Sequence, residues 1–169
     1  MKGAFFIDLE KHADQRGFFA RTYCEREFDA HKLNSRFVQC NTSFNEYQGT
    51  LRGMHFQAPP HEEAKLIRCT RGAIYDAIID LRAESATFKQ YFSAVLSAGN
   101  GRMLYVPQGF AHGFQTLEDN TEVFYQMSQF YVPELARGVR WNDPAFGINW
   151  PASERIIVAR DQSYPDFIA

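Results

Sequence analysis

Leu51-Arg52-Gly53-Met54-His55-Phe56-Gln57 puts an imidazole, a guanidinium and an amide into one short apolar stretch. A neutral imidazole accepts a proton near pH 7, so His55 is a candidate general base; the plainer reading is a half-buried strand with an inert, hydrogen-bonded histidine. Strict alternation puts His55 and Gln57 on one face and Arg52 on the other. For Arg52 and His55 to reach one pocket, Gly53 must be a bulge or kink. Lys65 opens the next apolar run, Lys65-Leu-Ile-Arg68-Cys69. Facing outward it is an edge charge; facing inward, its ammonium can hold the charge of a developing enolate. In Thr121–Tyr131, alternation gives Val123, Tyr125, Met127 and Tyr131 a common face. The Tyr125 phenol among apolar neighbours is either packing with a satisfied hydroxyl or a general acid. Asp161 and Asp76 are the candidate carboxylates for orienting an imidazole, and Asp76, inside an apolar strand, needs a partner in any case. Together these groups could remove a proton beside a carbonyl and return one.

The frame that must position them is a single domain spanning residues 1–169, long enough to bury a core without staples. Aromatic residues make up 15% of the chain, with Phe 16 and Tyr 8, which favours sheets because rings pack well on a pleated surface. The net charge of −2 is spread over interspersed signs, so no basic face points to nucleic acid. Cys24, Cys40 and Cys69 are odd in number and widely spaced, against a disulfide framework or zinc knuckle and in keeping with a reducing compartment. The run Ala4-Phe5-Phe6-Ile7 is too short for a signal peptide, and no segment approaches the roughly 20 apolar residues of a membrane span. A soluble cytoplasmic protein is expected.

Phe5-Phe6-Ile7 reads as a first strand, and Asp14-Gln15-Arg16-Gly17 as a turn into Phe18-Phe19-Ala20-Arg21. Thr22 with Glu25 makes a capping box, opening the one helix expected, Glu25 to Leu33. From Phe37 onward, short apolar runs alternate with turn residues: Phe37–Val38, Leu51–Phe56, Lys65–Cys69, Ile74–Leu81, Tyr91–Leu96, Met103–Val106, Ala111–Leu117, Glu122–Tyr131 and Gly138–Trp141. Such spacing predicts an all-β sandwich or barrel. Trp141 and Trp150 lie in a loop-like end that should be pinned to the body.

A second polar cluster, Gly101 to Phe114, has a Pro107-Gln-Gly109 turn aiming His112 back into a strand, and this spacing resembles the second cupin motif. The first cupin motif is half present, with Gly49 before His55 and Glu62 after it. Gln57 stands where that motif has its second His, which weakens a metal site. His61 and Glu63, beside Pro59-Pro60, read as solvated loop residues. No nucleotide-binding glycine loop or serine nucleophile elbow occurs.

Leu51-Arg-Gly-Met-His-Phe-Gln, Lys65-Leu-Ile-Arg-Cys, Gly109-Phe-Ala-His-Gly-Phe, Phe124-Tyr, Trp141-Asn-Asp-Pro and Ile148-Asn-Trp-Pro, in this order, resemble the dTDP-4-dehydrorhamnose 3,5-epimerase family. The resemblance runs from Asp14–Gly17 to Asp161. It implies a cupin-type jelly roll with one or a few short helices, acting as a cofactor-independent, metal-independent homodimer. It further implies inversion of carbons flanking the 4-keto group of a nucleotide-linked 6-deoxyhexose. Carried over, His55 is the base, Asp161 its partner, Tyr125 the acid on the opposite face and Lys65 the enolate stabiliser. Arg52, His112 and Tyr131 line the pocket, Gln39 and Asn41 match a substrate-contacting Q-x-N, and Arg16 serves the diphosphate side. Arg16 to Arg21 are expected to complete a partner's pocket. Arg21, Gln126, Arg137 and Gln162 depart from the family pattern, which leaves the nucleotide, the sugar and the choice of one or both carbons open. Two other readings compete: a metal cupin using His55, Glu62 and His112, and a non-catalytic sugar-nucleotide binder.

Overall fold

A short apolar run buries one face only against another element, so runs of this kind must stack. The computed structural model describes residues 1–151 and 154–168. Its strands are β1 (Phe5–Ile7), β2 (His12–Asp14), β3 (Gly17–Phe19), β4 (Gln39–Asn45), β5 (Leu51–Gln57), β6 (Lys65–Arg71), β7 (Ala73–Asp80), β8 (Tyr91–Ser97), β9 (Met103–Val106), β10 (Phe110–Thr116), β11 (Thr121–Met127) and β12 (Ala136–Gly138). Helix α1 (Glu25–Ala30) precedes β4, and α2 (Ala159–Gln162) lies near the C-terminus. One antiparallel sheet runs β1-β9-β6-β11-β4, a second β12-β5-β10-β7-β8, and β2 pairs with β3 as a separate hairpin.

The two large sheets face each other. Ile67, Leu104, Val106 and Val123 of the first pack on Ile74, Ile78, Phe110 and Phe114 of the second. Each such side chain taken from water contributes about 1.5–3 kcal/mol. The outer faces are covered as well: Phe28 of α1 sits over Leu66, Met103 and Tyr105, while Val139, Phe146 and Trp150 cover Leu51, Met54, Ala77 and Ile79. Because β7 is buried on both faces, Ala73–Asp80 reads as a nearly unbroken apolar run. Trp150 donates its indole N–H to Trp141 O at 2.8 Å, pinning the loop-like end.

Several local expectations need correction. Thr22 is not the cap of α1, which starts after Cys24 and has no side-chain cap. It ends at Ala30 because Lys32 adopts φ +58 and the Leu33 N–H bonds back to Phe28 O, a left-handed stop. Phe37 leaves the sheet to pack edge-on against Phe28, so β4 begins at Gln39. α2 was not expected: four residues are too few for a hydrophobic period to show. Among the described residues no helix is long and apolar enough to cross a membrane.

Candidate active site

Between the pairs His55–His112 and Arg52–Phe114, β5 carries one residue more than β10. That is a bulge, and Gly53 makes it possible. Its φ is +131, and a Cβ there would lie 2.5 Å from the Gly113 Cα. The extra residue sends Leu51 and Met54 outward into the second core while Arg52 and His55 turn to the same side. The bend required of Gly53 is thus present. Arg52 and His55 open onto a cavity of about 300 Å3 between the two sheets, whose walls also include His112, Lys65, Tyr125 and residues of α2.

Each imidazole meets a buried carboxylate. His55 Nε2 lies 2.8 Å from Asp161 Oδ1, and His112 Nε2 lies 2.7 Å from Asp76 Oδ1. The Gly53 N–H donates to the other oxygen of Asp161 at 3.1 Å, so the bulge also holds the carboxylate. Burial by itself would raise the Asp161 carboxyl, but bonds from His55, the Gly53 N–H and Arg160 outweigh it and hold it below the usual carboxylate range. An ionised Asp161 facing Nε2 favours a proton on that nitrogen and leaves Nδ1 bare for a ligand.

On the opposite wall, Lys65 is buried, 2.9 Å from Glu63 Oε1, and donates to His55 O at 3.3 Å. Its ammonium therefore faces inward. Tyr125 comes from β11, so His55 and Tyr125 enter the cavity from different sheets. Burial raises the Tyr125 phenol; Arg52 opposes this and Glu63 adds to it. Such a phenol keeps its proton and can donate it. Arg52 is aimed by its Nε–H, which donates to Asn45 Oδ1 at 2.8 Å. Tyr131 stands at the rim, half exposed.

Three expected contacts stand outside the cavity of one chain. Gln39 and Asn41 share a β4 face with cavity-lining Ser43, but Gln39 accepts the Tyr131 N–H and Asn41 donates to Met127 Sδ. Arg16 sits at the exposed tip of the β2–β3 hairpin, paired with Asp14. Gln57 is consumed as a clamp, bonding His61 O, Phe130 O and the Val132 N–H. Among the described residues no three His, Cys, Asp or Glu side chains are grouped to hold a metal ion, and Glu62 does not reach the cavity.

Sequence reasoning missed three groups. Glu63 is buried, not solvated, because it balances Lys65; the Glu63-x-Lys65 spacing was the available signal, since a buried ammonium needs a carboxylate. Arg160 lies beside His55 and Asp161, and Tyr164 packs edge-on to the His55 ring at 6.4 Å. Tyr164 rests on Gly138, the β12 residue in register with His55, where a Cβ would lie 2.3 Å from the phenol ring. No spacing rule connects residues 138 and 164.

The family model for dTDP-4-dehydrorhamnose 3,5-epimerase matches residues 1–168. The chain belongs to the dTDP-4-dehydrorhamnose 3,5-epimerase family. It is an isomerase of the carbohydrate epimerase type. A member from Sinorhizobium fredii is 43% identical over 160 residues, spanning 94% of this chain and 82% of that one. The crystal structure of a Bacillus anthracis family member, with TDP and PPi bound, superposes with a TM-score of 0.94 at 41% identity, covering 97% of this chain and 94% of the other. A Legionella pneumophila epimerase in complex with dTDP-4-keto-L-rhamnose gives 0.90 at 31% identity, covering 95% and 86%. The sandwich described above is the cupin-type jelly roll of this family.

Proposed function

We propose that this epimerase acts on a nucleotide-linked 4-keto-6-deoxyhexose and inverts carbon 3, carbon 5 or both through an enolate. The observation that carries the reading is the entry of His55 and Tyr125 into one cavity from different sheets, with the Lys65 ammonium turned inward. A proton beside a ketone leaves readily only if the oxygen's growing charge is stabilised, the role of Lys65. His55 Nδ1 takes the proton, Asp161 holding the opposite nitrogen protonated. Tyr125 returns a proton to the other face, which turns exchange into inversion. Arg52, His112 and Tyr131 position the sugar and its anionic side. The ketone is the electron sink, so the reaction calls for no metal or cofactor.

The same reading makes residues 1–169 one catalytic domain and the working protein a cytoplasmic homodimer. Phe18 and Phe19 support the dimer: both are more than half exposed on the β2–β3 hairpin, which also carries Arg16. Paired with a second copy, the hairpin would bring Arg16 to the neighbouring diphosphate, with Gln39 and Asn41 at the rim.

Incubation with dTDP-4-keto sugar in heavy water tests the reaction. Deuterium should enter at the carbons beside the ketone; no incorporation with dTDP, CDP, GDP or UDP 4-keto sugars would overturn it. Light scattering that gives one chain's mass at assay concentration would overturn the dimer.

A further inference from the structure

Two groups compete for one nitrogen of His55. Nε2 lies 2.8 Å from Asp161 Oδ1 and 3.2 Å from Arg160 Nη2, while Arg160 Nε lies 3.2 Å from the same Asp161 oxygen. A guanidinium only donates hydrogen bonds, and an ionised carboxylate only accepts them. A neutral ring nitrogen carries either a proton or a lone pair, so Nε2 satisfies one neighbour at a time. With its proton on Nε2, the ring donates to Asp161 and Nδ1 is bare, the form able to act as a base. With the lone pair on Nε2, the ring accepts from Arg160, and Nδ1 carries the proton and cannot take another. Asp161 is not stranded in that second form, because the Gly53 N–H and the Arg160 Nε–H both still donate to it.

We propose that Arg160 is a positioning residue that biases His55 toward its idle tautomer, against the pull of Asp161 for a proton on Nε2, until the anionic part of the ligand draws the guanidinium away. The side chain has the freedom this needs: it is 62% exposed, at the cavity edge, on a helix of four residues. The driving force is a charge-assisted bond to phosphate oxygens, stronger than a bond to a neutral ring nitrogen. Other charges near His55 are otherwise engaged: Lys65 with Glu63, Arg52 with Asn45, and His112 with Asp76. None of them is in hydrogen-bond contact with Nε2. The inference takes the diphosphate-bearing ligand from the proposed function, and it adds that binding at the anionic end arms the base at the other.

The test is the 15N spectrum of the His55 ring, recorded at a pH where the ring is neutral, since a protonated and a bare ring nitrogen differ widely in shift. Replacing Arg160 by Met keeps the aliphatic stem and removes every donor. Arg160→Met should move the tautomer ratio toward Nε2–H by about five-fold, the equilibrium worth of one hydrogen bond. Inorganic pyrophosphate added to the unaltered protein should move it the same way, and should move nothing in Arg160→Met. Equal ratios in the two free proteins would overturn the proposal, as would a pyrophosphate response undiminished in the variant. The shift in tautomer with no isotope exchange on any nucleotide 4-keto sugar would support the hold of Arg160 on His55 and overturn the proposed reaction instead.

Discussion

The Lys65 ammonium and the Glu63 carboxylate stand 2.9 Å apart, with 9% and 4% of their side chains exposed. Removing one member of such a pair strands the other in a poorly hydrated site, at a cost of about 3–5 kcal/mol, whereas replacing both with apolar groups is close to neutral. Glu63→Leu alone should therefore lower the urea midpoint sharply, and Glu63→Leu with Lys65→Met should restore much of it. The double variant should nonetheless exchange solvent deuterium about 10²–10³-fold more slowly, because the enolate has lost its cation. Full activity in the double variant would remove Lys65 from the chemistry.

Tyr125→Phe separates two steps. Deuterium should still enter the substrate, since His55 and Lys65 remain, but net inversion should fall by about 10²–10⁴-fold for want of a donor on the far face. NMR of the recovered sugar reads both quantities. Equal losses of exchange and inversion would place Tyr125 elsewhere in the mechanism.

Asp161 links the site to acid stability. Its carboxyl is held below the ordinary value of 3.8, so around that pH the unfolded chain binds more protons than the folded one, and stability rises with pH. The contribution is complete above 3.8 and is lost as pH falls through the folded value. Asp161→Asn should show a shallower decline in urea-derived stability over this acid range than the parent protein. Parallel curves would mean the carboxylate is not held as described.

Gly138 and Tyr164 can be tested as a pair. Gly138→Ala puts a methyl into the Tyr164 ring and should cost about 1–3 kcal/mol, the usual effect of overpacking. In a Tyr164→Ala background the clash is gone, so the same methyl should cost almost nothing. The coupling follows from thermal melts of the four proteins, and additive effects would refute the contact.

The sheets were legible because a strand buried on one or both faces writes its surroundings into a short apolar run, as Ala73–Asp80 does. The bend at Gly53 was legible for a different reason: without it Arg52 and His55 cannot share a side. Thr22 misled because a capping box is only a local preference, and the packing of Phe28 with Tyr23 and Phe37 set the start of α1 instead. Glu63 misled because Pro59-Pro-His-Glu-Glu63 has the composition of an exposed turn, and its burial depends on where Lys65 points. Arg160 and Tyr164 were beyond reach, since their meaning arises from contacts across more than twenty residues of chain, with Gly138 and with His55.

The close approach of Gly53 to Gly113 ties the two imidazoles together. His55 and His112 are register partners flanking that contact, each on its own strand and each with its own carboxylate. With only hydrogens between the backbones, a side chain at either glycine would force the two strands, and the histidines they carry, apart. The spacing of the two imidazoles is thus set by the bare glycine contact between their strands.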